Sequence, residues 1–213
     1  MMFRFGKSYQ QLSTDVTFYV LEEASITIEV TEVEYKHIPC PRCRLRAMAR
    51  VGGTSVRFTR EIEMTDFSGT ANGLTARRSV FQHLTESRIS GWRQGFLSVE
   101  ATANLKQLDI DYYELVVIGH TRGYAEAVGL KIDKECELCG YVTYYYPKQN
   151  LKMPLECWDG SDIFIVDELP GLYIVTEATC NVIEQHHFTG IKLFPIAEWK
   201  HPDLRKRLPV RDK

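Results

Sequence analysis

The sequence predicts an α+β fold, a mixed β-sheet with a few short helices, tied by four cysteines that only the tertiary structure can gather. Three observations carry this. Apolar and polar residues alternate over several short runs, the period of half-buried strands. Helical periodicity is confined to a few brief stretches. Two Cys-x-x-Cys pairs, Cys40/Cys43 and Cys136/Cys139, stand far apart with no local element joining them.

The elements follow in chain order. Asp15–Val20 and Ser25–Val33 read as strands, the second because Ile26, Ile28 and Val30 alternate with Thr27, Glu29 and Thr31. Val56, Phe58 and Ile62 suggest another strand after the turn at Gly52-Gly53. Ala76, Val80, Phe81 and Leu84 share one helical face, predicting a helix over Thr75–Arg88 that Gly91 ends. Residues 98–105 can be laid over 175–182, since both contain Glu-Ala-Thr-x-Asn, at Glu100 and at Glu177. Apolar strands follow each, Tyr113–Ile118 and Ile191–Ile196, which points to an internal strand-helix-strand duplication. In the first copy Ala101, Leu105 and Leu108 would form the helical stripe; Ala178 and Val182 start it in the second. The expected organisation is a single domain over 1–200, with sub-units 1–73, 74–148 and 149–200. A basic tail, 201–213, with Arg205-Lys206-Arg207 and Arg211, is expected to be solvated.

Composition narrows the function classes. Of 213 residues, 44% are hydrophobic and 25% charged, the profile of an ordinary globular chain. A formal charge of −2 and a pI near 6.3 supply no long-range field towards nucleic acid or an anionic membrane. The start, Met1 to Lys7, lacks a signal-peptide core, and apolar runs such as Leu115-Val116-Val117-Ile118 are too short to span a bilayer. The expected location is therefore cytoplasmic, without membrane contact. In that reducing compartment six cysteines do not imply a disulfide framework.

Their spacing implies a metal. Two residues between cysteines let the backbone curl so that both thiolates of a pair enter one concavity. Two such knuckles facing each other supply four sulfurs in a tetrahedron, which suits Zn²⁺. Gly140, just after Cys139, supplies a residue free to take positive φ where backbone amides turn towards the sulfurs. Neither pair opens a helix after a strand, as a thioredoxin-like motif would. A structural zinc bound by Cys40, Cys43, Cys136 and Cys139 is therefore expected, with iron as the other metal such a set accepts. His37 lies near the first pair, but four cysteines complete the set. Cys157 and Cys180 read as buried small hydrophobes. His186-His187 point about 100° apart on a helix and make a poor chelate.

The chain contains no Gly-x-Ser-x-Gly, P-loop, dinucleotide-binding or His-Glu-x-x-His motif. A closed four-thiolate site leaves a metal no position for substrate or water. The expectation is a non-enzyme with no small-molecule substrate.

The order of motifs resembles a known family. An early Cys-Pro-x-Cys at Cys40, a late Cys-x-x-Cys-Gly at Cys136 and a stretch from Ser161-Asp162-Ile163-Phe164 through Gly171 to Thr189-Gly190-Ile191 are similar to the double-CXXCG motif family of bacterial immunity proteins. The likeness covers most of the chain and is best over Tyr113–Ile196; Arg44 stands where the family has Gly. What the resemblance implies is a protein that binds and neutralises a cognate protein toxin, with its metal at the same four cysteines. The competing reading is a zinc-ribbon module that binds nucleic acid, for which Arg42, Arg44, Arg46, Arg50 and Tyr144-Tyr145-Tyr146 would supply cations and stacking faces.

Overall fold

A computed structural model describes residues 16–23, 29–43, 46–58, 65–70, 73–101, 111–147 and 151–200. Fourteen strands and three short α-helices are described, so the α+β class holds. The first four-stranded sheet contains β4 (Phe67–Thr70), β5 (Gly73–Arg77), β8 (Tyr112–Val117) and β6 (Trp92–Gly95) in that order, all antiparallel. The second contains β14 (Ile191–Pro195), β1 (Phe18–Glu23), β13 (Tyr173–Thr176) and β12 (Ile163–Ile165), with the short β9 (Gly119–His120) parallel at its edge. α1 (Arg78–Glu86) follows β5 directly, α2 (Tyr124–Val128) follows β9, and α3 (Glu177–Gln185) follows β13. No described helix is long and apolar enough to cross a membrane.

These two sheets are copies. In each, a hairpin runs straight into a nine-residue helix, and a returning strand joins the far side of the sheet. One spacing relates Arg78 to Glu177, Gly91 to Gly190 and Trp92 to Ile191. The registers agree as well: Leu74 lies opposite Leu115 as Tyr173 lies opposite Leu21, and Trp92 opposite Val117 as Ile191 opposite Glu23. Both helices end alike, on a residue of positive φ, Arg88 (56°) and His187 (51°). The amide after it returns to the helix in both, from Ile89 to the Leu84 carbonyl and from Phe188 to the Ile183 carbonyl. The chain is thus a tandem repeat, residues 18–95 and then 112–195, in which each copy's first strand joins the other copy's sheet.

A matched pair of clasps binds the copies. Asp66 precedes β4 and its Oδ2 accepts from the Thr189 amide (2.9 Å) and hydroxyl (2.7 Å). Asp162 precedes β12 and accepts from the Ser90 amide (2.9 Å) and hydroxyl (2.7 Å). The next amides, of Phe67 and Ile163, donate to the carbonyls of Thr189 and Ser90. Glycine must follow each hydroxyl residue. A Cβ on Gly91 would sit 2.0 Å from the Ile163 carbonyl, and one on Gly190 1.8 Å from that of Phe67. Between the sheets lies a shared core with Leu21, Phe67, Leu74, Phe81, Leu84, Leu115, Ile163, Val175 and Ile183. Burying such side chains is what holds the copies together, at roughly 25 cal/mol per Å² of apolar surface.

The repeat corrects the sequence reading in two places. The duplication exists, but its first helix is α1, not the segment after Glu100. Leu97–Ala101 is a strand, β7, because it pairs in parallel with β3 (Arg46–Phe58), Thr54 opposite Leu97 to Phe58 opposite Ala101. Arg57 also holds Glu100 at 2.8 Å. That ladder overrides the local Glu-Ala helix preference, which prevails only at Glu177, the first residue of α3. Leu105 and Leu108 lie outside the described residues, as do Ile26, Ile28, Ile62 and the tail. The predicted helix over Thr75–Arg88 begins later, at Arg78, since residues 75–77 complete β5 between β4 and β8.

Candidate metal centre

Each repeat sends out one hairpin between its first strand and its helix-bearing hairpin, and each of these carries one Cys-x-x-Cys. In the first, β2 (Glu29–Pro39) and β3 flank Cys40-Pro41-Arg42-Cys43. In the second, β10 (Ile132–Glu135) and β11 (Val142–Tyr144) flank Cys136-Glu137-Leu138-Cys139. Register is again shared, with Pro39 opposite Arg46 and Glu135 opposite Val142. The hairpin ladder forces the four intervening residues and their neighbours into a tight turn. In the second knuckle the Gly140 amide closes on the Cys136 carbonyl at 2.8 Å, and Gly140 takes φ 68°. That left-handed value is the one expected of a glycine just past the knuckle.

The four sulfurs converge. All ligand atoms lie within 4.8 Å of one another. Equivalent cysteines face each other, Cys40 to Cys136 at 3.7 Å and Cys43 to Cys139 at 3.8 Å, each pair 96 positions apart in the chain. These separations exclude a disulfide, which needs about 2.05 Å. They match the edge of a thiolate tetrahedron: with metal–sulfur bonds of about 2.3 Å, each edge is about 3.8 Å. Cys40 and Cys136 are buried, Cys43 half-buried and Cys139 exposed.

Local backbone prepares the sulfurs to be thiolates. The Cys43 amide, then that of Arg42, hydrogen-bonds to Cys40 and holds its thiol below the usual range. The Cys139 amide chiefly, helped by that of Leu138 against the effect of burial, brings Cys136 down to about 6. The same two positions of each knuckle supply these donors. At Cys139 the Tyr141 amide pulls downward, but neighbouring sulfurs and burial outweigh it and the thiol is raised. Four close sulfurs cannot all ionise unaided, and a bound cation removes that conflict. Around the rim Arg42 of one knuckle meets Glu137 of the other at 2.8 Å. Both side chains are largely exposed, so this pair adds little energy.

The predicted set therefore comes together as a site able to hold one metal ion. Set against family models and curated proteins, the chain matches none.

The remaining candidates fall elsewhere. Cys157 and Cys180 are buried, the first thiol raised by burial and the second pushed up to about 11, again chiefly by burial. Both act as apolar filling. His186 stacks on His83 of α1, ring centroids 3.7 Å apart, while His187 lies past the helix end at φ 51°. The side chain of His37 is outside the described residues. What sequence reasoning missed is a recess of about 290 Å³ at the end of β1, lined by Glu22, Glu23, Tyr146, Tyr173 and Trp199 among others. Only the adjacent Glu22-Glu23 hinted at it, because its walls come from segments far apart in sequence.

Proposed function

We propose that this protein is a bacterial immunity protein: it binds a cognate protein toxin through its surface and carries one structural Zn²⁺. The observation that carries the reading is the closed four-thiolate set, two sulfurs from each repeat at the edge length of a zinc tetrahedron. All four positions of a tetrahedral ion are then taken by protein. The metal holds two hairpins together and has no place for water or substrate, so its work is scaffolding. Such a scaffold suits a binding protein that performs no chemistry, and the order of the two knuckles resembles the double-CXXCG immunity family. On this reading the protein works in the cytoplasm, where the knuckles stay reduced.

Nucleic-acid binding has less support. Arg42, one of the cations that reading relies on, is matched by Glu137, and the β10–β11 hairpin also carries Asp133 and Glu135. The test is co-expression in bacteria with the toxin domain encoded beside this gene. Growth restored by this chain, together with a stable complex of the two proteins, is the expected result. Continued killing at full expression of folded protein rejects the reading. Elemental analysis of the purified chain separately tests the metal, with about one zinc per chain expected.

A further inference from the structure

We infer that the outer edge of β11 pairs antiparallel with the same edge of a second copy of this chain. An edge strand offers unpaired amides and carbonyls to any strand that fits it. Among the described residues the β10–β11 hairpin is a sheet of two strands only. Within it the Cys136 amide donates to the Tyr141 carbonyl and the Tyr145 amide to the Lys131 carbonyl, each at 2.9 Å. Tyr141, Thr143 and Tyr145 therefore turn their backbone groups towards β10. By alternation Val142 and Tyr144 turn theirs outward, where no described strand meets them. The strand is held at both ends. Its knuckle fixes one, and at the other the Tyr146 hydroxyl donates to the Pro170 carbonyl at 2.8 Å.

The two edges of this hairpin differ in charge. β10 carries Asp133, Lys134 and Glu135, and all four of its residues are exposed. Charge on an edge strand guards it against pairing. Tyr141 to Tyr146 contains no charged residue, no glycine and no proline, and its Tyr, Val and Thr are good strand formers. The matching run of the other copy, Arg46-Ala47-Met48-Ala49-Arg50, is charged at both ends. β11 is thus the unguarded strand of the two knuckle hairpins. Four of the seven exposed large hydrophobic side chains described, Ile132, Leu138, Tyr141 and Tyr145, lie on its hairpin. Apolar surface gathered in this way marks a place that another surface covers.

A second copy is the occupant that fits. A two-fold axis through Thr143 sets Val142 of one copy opposite Tyr144 of the other, twice. Those are the outward-turned positions, so each pair exchanges both of its N–H···O bonds without any change in the hairpin. Thr143 then meets Thr143, and Tyr141 meets Tyr145 on the same face of the sheet. Such hydroxyl and aromatic pairs favour antiparallel strands, and no like charges are opposed. The charged β10 strands become both outer edges of a four-stranded sheet, β10–β11–β11–β10, which stops growth at two copies. So short an edge buries less than a standard interface, and the dimer belongs to the weak, concentration-dependent class.

The experiment is sedimentation equilibrium of the full chain from micromolar to near-millimolar concentration. A monomer–dimer equilibrium with no larger species is expected. Thr143→Lys and Thr143→Glu each place like charges on the two-fold axis and should weaken dimerisation about tenfold at low salt. Mixing the two variants should restore it as a heterodimer. Phe96→Ser, at an exposed aromatic residue outside the hairpin, should leave the dimer unchanged. Hydrogen exchange of the unaltered chain gives a reading that needs no variant: the Val142 and Tyr144 amides should exchange more slowly as concentration rises. A monomer throughout, species that grow beyond two copies, or a dimer indifferent to both Thr143 variants overturns the proposal. So does a dimer lost in Phe96→Ser, a mixture that fails to pair, or exchange at Val142 and Tyr144 that ignores concentration.

Discussion

The two sheets share strand order, register and clasps, yet their outer faces differ. In the second, Phe18, Val20, Phe164 and Ile174 form an apolar face packed against Tyr124, Leu169 and Trp199. The matching positions of the first are Tyr112, Glu114, Ser68 and Thr75. There the polar groups are hydrogen-bonded: Thr75 donates to the Ser68 carbonyl at 3.0 Å, Thr65 and Ser68 join at 3.0 Å, and Arg77 donates to the Tyr112 hydroxyl at 3.2 Å. A sheet accepts either solution, since a buried polar group costs little once it is hydrogen-bonded. What stayed constant is the apolar centre of the inner face, the aspartate clasps, the glycines beneath them and the knuckles. Those features sit where the copies meet. The lesson is that the meeting surface defines this fold and the outer faces are free to specialise.

The strongest way to break this comparison is to remove the metal. A structural zinc contributes on the order of 10 kcal/mol, comparable to the whole net stability of a domain. On the proposed zinc reading, Cys40→Ser and Cys136→Ser, equivalent across the repeat, should both lose bound metal and unfold cooperatively at far lower denaturant. Chemical denaturation with parallel metal analysis checks this. Serine at Cys157 or Cys180 should leave metal content unchanged, and metal loss there would show that the site extends beyond its four sulfurs.

Next in size is the contrast between the outer faces. Phe164→Ala should cost about 3–5 kcal/mol by leaving a cavity in an apolar core. Its twin change, Ser68→Ala, removes one hydroxyl and should cost about 1 kcal/mol. Urea titration of both variants measures the gap. Equal costs would mean that the two faces are packed alike despite their composition.

The clasps should give effects closer in size. Asp66→Ala removes a carboxylate that accepts two bonds, and Asp162→Ala one that accepts a third, from the Thr176 hydroxyl at 2.9 Å, so the losses should be about 2–3 kcal/mol, with Asp162→Ala the larger. A larger loss for Asp66→Ala in thermal melts would show that its junction carries more of the hold than its bonds account for.

The smallest effect sharpens the difference at the end of β1. Burial raises the Glu23 pKa in the folded state above that of the unfolded chain. The folded state then binds more protons in the interval between the two values, so the penalty is greatest at pH above the folded pKa. It is relieved as pH falls through that pKa. Glu23→Val should raise Tm modestly near neutral pH, with the gain shrinking as pH drops into the carboxylate range. Melting curves at several pH values check the sign, and a gain that grew on acidification would contradict the burial argument.

By itself the sequence determined the chemistry of the metal site. Cys-x-x-Cys is a local pattern, and the trailing glycine at Gly140 reports a local backbone need, so both could be read without knowing the fold. The α+β class was legible for the same reason, since alternation and helical periodicity act over a few residues. The repeat was legible only in part, and in the wrong register. Its true signature is sparse: Thr65-Asp66 against Ser161-Asp162, Ser90-Gly91 against Thr189-Gly190, and buried positions filled by different side chains, Val80, Phe81 and Leu84 against Thr179, Cys180 and Ile183. Glu-Ala-Thr-x-Asn looked like better evidence because four letters in five agree. Strand pairing with β3 nonetheless places Glu100-Ala101 in an extended ladder, and no pairing competes for Glu177-Ala178. Tertiary structure alone decided that each first strand would cross to the other sheet. It also brought Glu22 and Trp199 into contact. Such partners are chosen by burying an apolar face against whatever surface fits it, a choice made across the whole chain that no short stretch of letters records.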